Sequence, residues 1–144
     1  MATAHVAVAE GAFTATAGGG LNVGTPYGEL QVGRRFRGAP HFELYLDYGY
    51  GAAISTYPFH TFGLGARTYL WREGRFELFH QALAAFALAT GGHFQTIGDR
   101  LLGPFFTQGL GLAAHVAPCW SVALVVSTGD PVWLRSELAV RYAF

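Results

Sequence analysis

The chain has 144 residues, of which 51% are hydrophobic, 15% are aromatic and 12% are charged. The charged share is about half that of an ordinary soluble domain, and the length predicts one domain spanning residues 1–144. Nine arginines balance nine acidic residues and no lysine is present, which argues against a nucleic-acid-binding surface. The single cysteine, Cys119, excludes an intrachain disulfide and a cysteine-based zinc cluster, and the opening MATAHVAVAE does not read as a signal peptide.

Side chains alternate between apolar and polar along most of the chain, and this period of two predicts β-strands. Eight such segments follow one another, at residues 5–17, 29–36, 41–54, 62–71, 75–89, 105–116, 120–127 and 132–144. The third segment, HFELYLDYGYGAAI, alternates over too many residues for a helix. The facing of the first segment is ambiguous, because Glu10 shares its parity with Val6 and Val8.

The connections between these segments also alternate in length. RGAPH, REG and APC are short, whereas GGGLNVGTPY, STYPFHT and TGGHFQTIGDRLLGP are longer, with a shorter TGDP before the last strand. Short turns therefore gather at one end of the sheet and loops at the other. The turns predict a register in which these pairs lie opposite each other: Arg35 and Glu43, Phe36 and Phe42, Trp71 and Arg75, Leu64 and Ala82, and Val116 and Trp120.

Two segments have a helical alternative. GLGLAAHVAPCWSVALVV carries no formal charge, but Pro118 and the β-branched residues after it favour two strands and a turn over a membrane helix. LFHQALAAFALA is rich in alanine and would form a helix by propensity alone. Its alternation favours a strand.

The two faces of the predicted sheet differ in kind. One face is apolar, and the other combines many glycines with charges of both signs, which suits the narrow interior of an eight-stranded barrel. The predicted interior polar network contains Glu29, Gln31, Arg35, Glu43, Asp47, Arg67, Glu77, Gln81, His115, Arg135, Glu137 and Arg141. Tyr45, Tyr69 and Phe79 share that face. The network could form an ion path, but the narrow interior favours a plug of paired side chains.

The chain resembles the small eight-stranded outer-membrane barrels of the OmpA and OmpX type. The resemblance rests on the eight alternating strands, the short turns at one end and the final strand ending in RYAF. It implies an all-β, antiparallel, up-and-down transmembrane barrel, monomeric and without a cofactor, in the outer membrane of a Gram-negative bacterium. It also implies contact with membrane lipid and lipopolysaccharide, and it makes Tyr142 and Phe144 a signal for the barrel-assembly machinery. It implies no activity.

The short-turn ends of the strands carry aromatic residues, as expected at a membrane interface. They are Phe36, Phe42, Trp71, Phe76, Trp120, Tyr142 and Phe144. Parity places Arg34 on the apolar face, near enough to the interface for its guanidinium to reach water. A soluble lipocalin-like carrier would instead need the apolar face turned inward.

Catalysis and metal binding have little support in the sequence. The candidates for a lipid-modifying enzyme are His80, Ser136 and Glu137, but Ser136 and Glu137 are neighbours with opposite facing. We therefore expect no catalytic site. The other histidines form no close pair, so we expect no metal site. The longest loop carries Phe94, Ile97, Leu101 and Leu102, which could form a contact surface or pack across the barrel mouth.

Overall fold

The computed structural model describes residues 12–22, 25–36, 38–52, 58–89, 103–130 and 134–144. Eight strands run in chain order: β1 (Phe13–Asn22), β2 (Thr25–Phe36), β3 (Ala39–Ala52), β4 (Pro58–Glu73), β5 (Phe76–Ala89), β6 (Gly103–Ala117), β7 (Trp120–Asp130) and β8 (Arg135–Ala143). Each strand pairs antiparallel with its neighbour, and β1 pairs with β8 to close the barrel. The predicted fold is confirmed, and both helical alternatives are wrong because those segments lie in β5, β6 and β7.

Among the residues that the structure describes, no helix is long and apolar enough to cross a membrane.

The barrel has two unlike ends. The short-turn end holds the β2–β3, β4–β5 and β6–β7 connections together with Phe13 and Phe144, whose backbones bond to each other. The loop end holds the other four connections, which include residues 53–57 and 90–102. Phe94, Ile97, Leu101 and Leu102 lie outside the described residues.

The β4–β5 hairpin corrects one predicted register. Gly74 adopts a φ of 57° in a two-residue turn, so Glu73 pairs with Phe76 instead of Trp71 pairing with Arg75. An irregularity between Tyr69 and Trp71 then shifts the register by one residue, and Leu64 lies opposite Ala84 rather than Ala82. The extra residue at this bulge keeps the apolar side chains before it in β4 on the outer face, whereas the two-residue turn alone would have placed them on the inner face.

The other two short turns contain similar irregularities. Arg35 pairs with Glu43 as predicted, but Phe36 pairs with Ala39 while its ring still stacks on Phe42 at 6.4 Å between centroids. At the third turn the register follows the prediction from His115 and Ser121 onward. Trp120 itself pairs with Ala117, so the predicted Val116–Trp120 pair is wrong.

The first connection is the clearest correction. GGGLN was predicted as loop, yet it forms the second half of β1, and only residues 23 and 24 separate it from β2. β8 lies too close to two of these glycines for a larger side chain to fit. A Cβ at Gly18 would lie 2.8 Å from Oε1 of Glu137, and one at Gly20 would overlap the backbone of Ser136. The predicted stretch 5–11 lies outside the described residues.

The two faces of the barrel wall separate by parity. Tyr45 is 1% exposed on the inner face, whereas its neighbour Leu46 is 65% exposed on the outer one. Large apolar side chains are exposed on every strand, among them Leu21, Val32, Leu44, Leu64, Phe86, Leu110, Leu124 and Leu138. Arg34 is also exposed on the outer face, 5.1 Å from the centroid of the Phe13 ring. The outer surface of the barrel is therefore an apolar belt.

Candidate functional site

The candidate site is the polar interior of the barrel, the lumen. The structure buries every charged or titratable residue that parity assigned to the inner face: Glu29, Arg35, Glu43, Asp47, Arg67, Glu77, His115, Arg135, Glu137 and Arg141. It divides them into two clusters. The short-turn cluster consists of Thr14, Arg35, Glu43, Arg67, Tyr69, Glu77, His115 and Arg141, and the loop cluster consists of Tyr27, Glu29, Gln31, Asp47, Arg135 and Glu137.

Glu43 lies at the centre of the short-turn cluster and is fully buried. Its Oε1 accepts hydrogen bonds from Thr14 Oγ1 at 2.9 Å and from Arg67 Nη1 at 2.8 Å. Its Oε2 accepts a hydrogen bond from the Tyr69 hydroxyl and lies 3.6 Å from Arg35 Nε. Four side chains from three other strands, β1, β2 and β4, thus share this carboxylate.

Arg35 extends from β2 across the interior to β5. Its two terminal nitrogens contact the two oxygens of Glu77, at 3.3 Å for Nη1 and 3.1 Å for Nη2. The guanidinium also lies 3.7 Å from the centroid of the Tyr69 ring. His115 approaches the same carboxylate, with Nε2 at 3.5 Å from Glu77 Oε2. A two-point ion pair between strands that are not neighbours holds the barrel together across its axis.

Arg67 joins the two clusters. It donates to Glu43 in the short-turn cluster and to Gln31 Oε1 in the loop cluster, and its Nε donates to Gln81 at 3.3 Å. The guanidinium stacks over Tyr45 at 4.2 Å from the ring centroid. At 2% exposure Arg67 is sealed from solvent, so the polar network continues unbroken through the middle of the barrel.

The loop cluster is built around two donors. Gln31 Nε2 donates to Glu29 Oε1 at 2.6 Å and to Asp47 Oδ1 at 3.0 Å. Arg135 forms a salt bridge with Glu29, lies 3.6 Å from Glu137 and donates to the Tyr27 hydroxyl at 2.6 Å. Within the described chain, Asp47 Oδ2 and Glu137 Oε2 are buried without a hydrogen-bond donor. This cluster has three carboxylates for one arginine.

Aromatic rings and glycines fill the space around the charges. A Cβ at Gly65 would overlap the Tyr45 ring, and one at Gly111 would overlap the Phe79 ring. Each ring therefore occupies the volume that a glycine on a neighbouring strand leaves open. Tyr69 and Phe79 pack beside each other with centroids 5.9 Å apart. The inner face alternates large and small residues, as a small barrel requires.

Two members of the clusters were not predicted to lie on the inner face. Tyr27 had been assigned to a loop, although it shares the parity of Glu29 and Gln31 and could have been found by extending that strand. Thr14 lies in the segment whose facing was ambiguous, and only its pairing with Gly33 and Ala143 sets it inward.

The candidate catalytic residues do not come together. His80 on β5 and Ser136 on β8 both face outward, and the paired residues Leu110 and Val126 lie between them. Three strand spacings separate them by about 14 Å along the wall, and Glu137 points into the lumen. Such an arrangement cannot pass a proton from serine to histidine. In the described part of the chain, no three histidine, cysteine or acidic side chains are grouped to hold a metal ion.

No protein-family model matches the chain, and no curated protein matches it. Solved structures do match. The N-terminal β-barrel domain of Pseudomonas aeruginosa OprF aligns with a TM-score of 0.72 and 15% identity, covering 94% of this chain and 98% of that chain. Yersinia pestis Ail, an outer-membrane protein solved in a phospholipid bilayer nanodisc, aligns with a TM-score of 0.57 and 13% identity over 94% and 100%.

A de novo designed transmembrane β-barrel aligns as well, with a TM-score of 0.66 and 14% identity over 94% of this chain and 98% of that chain. The chain has the eight-stranded fold of these barrels. A designed barrel shares it with natural ones, so the fold by itself assigns no biological role.

Proposed function

We propose that the protein is an integral barrel of the bacterial outer membrane whose lumen is closed by the two joined polar clusters. The apolar belt supports membrane residence, because soluble proteins rarely expose a continuous apolar surface around their whole circumference. Strands of 9 to 16 residues are long enough to cross a bilayer when tilted. The polar residues face inward and the apolar residues face outward, whereas a soluble lipid carrier needs an apolar interior and a polar exterior.

The observation that carries the closed lumen is the position of Arg67. It is sealed from solvent in mid-barrel, where Glu43, Gln31 and the Tyr45 ring contact it from different sides. An ion that crossed the lumen would have to displace a charged side chain held by several partners at once. We infer a plug that locks the strands in register, not a path for ions.

Conductance of the refolded protein in a planar bilayer tests this proposal. The protein should refold only in detergent or lipid, migrate differently on a denaturing gel before and after boiling, and leave the bilayer conductance at its baseline. Stable, ion-selective single-channel steps would show that the plug opens. A monodisperse protein in detergent-free buffer would rule out membrane residence itself.

The biological role would then belong to the loop end, through contact with lipopolysaccharide, another cell or a protein partner. The asymmetry of the connections supports this, since the short-turn end is closed by tight turns and the loop end presents the longer segments. A variant with residues 90–102 replaced by a short glycine-serine turn should fold normally and lose binding to lipopolysaccharide-containing vesicles. Retained binding would move the contact to the barrel wall or to another loop.

Tyr142 and Phe144 are proposed as the signal for the barrel-assembly machinery. Both lie on the outer face of the last strand, and the Phe144 ring stacks on Tyr142 at 5.9 Å and on Phe13 at 6.1 Å. Phe144→Ala should slow insertion into membranes that contain the machinery and leave spontaneous refolding in detergent at the wild-type rate. An equal slowing in both settings would indicate a structural role for the ring.

A further inference from the structure

A small cavity lies at the short-turn end of the lumen. Its walls include Arg35 from β2, His115 from β6, Ser121 from β7 and Arg141 from β8, and Cys119 in the β6–β7 turn lies at its exposed rim. The cavity has room for about one particle the size of a water molecule. Two guanidinium groups, an imidazole and a hydroxyl make it a site lined by hydrogen-bond donors.

Arg141 distinguishes this cavity from the rest of the lumen. Arg35, Arg67 and Arg135 each form a salt bridge with a glutamate. In the described residues, no carboxylate lies within salt-bridge distance of Arg141, whose Nη1 instead donates to the neutral Tyr69 hydroxyl at 2.8 Å. Arg141 is only 4% exposed, and its buried Nε has no hydrogen-bond acceptor there.

The charges of the short-turn cluster do not cancel. Three arginines, Arg35, Arg67 and Arg141, face two glutamates, Glu43 and Glu77, which leaves one positive charge even with His115 neutral. A buried charge is costly unless a counter-ion pairs with it, because burial removes its solvation by water. Water in the cavity would accept a hydrogen bond and leave the charge in place.

We propose that this cavity binds one monovalent, halide-sized anion, chloride, as the counter-ion of Arg141. The Nε of Arg141 donates to the anion. Ser121 pairs with both His115 and Arg141, so its hydroxyl enters the cavity between them and supplies a further donor. A cavity this small excludes the tetrahedral phosphate and sulfate ions and leaves room for a monatomic anion towards its open rim at Cys119. The single unmatched charge calls for a single negative one.

Chloride-35 NMR on the protein refolded in detergent micelles tests the site, because a bound chloride relaxes much faster than a free one. The wild-type protein should broaden the chloride signal beyond protein-free micelles, in a manner that saturates with chloride, is reversed by bromide and is unaffected by sulfate. Arg141→Gln should weaken this binding about tenfold, the loss of one charge-assisted hydrogen bond.

Two further variants test whether chloride binds in the cavity and not elsewhere on the protein. Arg75→Gln removes the same charge from an exposed position in the β4–β5 turn at the same end of the barrel, and it should leave chloride binding unchanged. Ala143→Leu keeps every charge and fills the cavity at its rim, so it should abolish binding even if Arg141→Gln fails to fold. Folding of each variant is checked by its gel migration before and after boiling.

Two results would overturn the proposal. If the folded wild-type protein gives no broadening beyond that of protein-free micelles, the cavity holds water only. If Ala143→Leu keeps wild-type affinity, chloride binds elsewhere on the protein.

Discussion

The two halves of the lumen, the short-turn cluster and the loop cluster, stabilise their buried charges differently. In the short-turn cluster, two arginines and two hydroxyls contact Glu43 and both terminal nitrogens of Arg35 contact Glu77, and aromatic rings cover the guanidinium groups. In the loop cluster, Arg135 is the one arginine among three carboxylates, and some carboxylate oxygens have no donor within the described residues. The first half carries an excess of positive charge and the second an excess of negative charge.

This difference indicates where the barrel draws its stability. Dense pairing across the axis joins β2 to β5 and β4 to β8 at the short-turn end, where the connections are tight. The loop cluster binds its members mainly through Gln31 and Arg135, and many glycines line the wall around it. We expect substitutions of equal size to destabilise the short-turn half more than the loop half.

Neutralising one carboxylate in each half should give the largest contrast. Glu43→Gln leaves three arginines facing one glutamate, and removing one partner of a buried ion pair costs about 3–5 kcal/mol of unfolding free energy. Asp47→Asn removes a charge from the cluster that has too many, so its effect should stay below about 1 kcal/mol. Urea unfolding in lipid vesicles, followed by tryptophan fluorescence, measures both. Equal losses would show that the two halves are equally coupled.

Steric probes of the wall should give an intermediate effect. Gly65→Ala pushes a methyl group into the Tyr45 ring, which in turn supports Arg67, and overpacking of this kind costs about 1–3 kcal/mol. Gly28→Ala is the matched control, because a Cβ there meets only the Gly18 carbonyl at 3.7 Å, an ordinary contact. The same unfolding assay should find Gly28→Ala within about 0.5 kcal/mol of wild type. A destabilised Gly28→Ala would mean that strand glycines are needed for the backbone and not for the rings.

Double-mutant cycles should give the smallest effects and the sharpest comparison. The two-point pair of Arg35 with Glu77 should show a coupling of about 1–2 kcal/mol. Arg135 and Glu137 approach only to 3.6 Å, so their coupling should be weaker, about 0.5 kcal/mol, at the low end for residues of one network. Glutamine replaces each charged residue in the cycles; it has the size of glutamate and is shorter than arginine. Additive effects for Arg35 and Glu77 would show that the pair does not form in the membrane.

The short turns show which parts of the strand register the residue pattern could predict. Alternation placed Arg35 opposite Glu43 and kept Leu64 on the outer face, where the structure has them. Alternation did not predict the irregularity at Leu70. The residues before an extra residue and the residues after it each still alternate with a period of two. Alternation also could not predict which charged side chains pair with each other inside the lumen. Arg35 makes its closest ion pair with Glu77 and not with the Glu43 that faces it in the hairpin.

By itself the sequence determined the strand count, the antiparallel barrel fold and the face on which most side chains of β2 to β8 lie, because a period of two is a local property of an extended backbone. Only the tertiary structure showed that GGGLN belongs to the barrel wall. A run of glycines in a sequence predicts a loop, but in the closed sheet these glycines lie where neighbouring strands approach closely. The tertiary structure alone also decided that, among the described residues, no carboxylate lies within salt-bridge distance of Arg141, whereas Arg67 contacts both clusters. Contacts across the axis join strands that are distant in sequence, and they depend on barrel closure, stagger and side-chain length together.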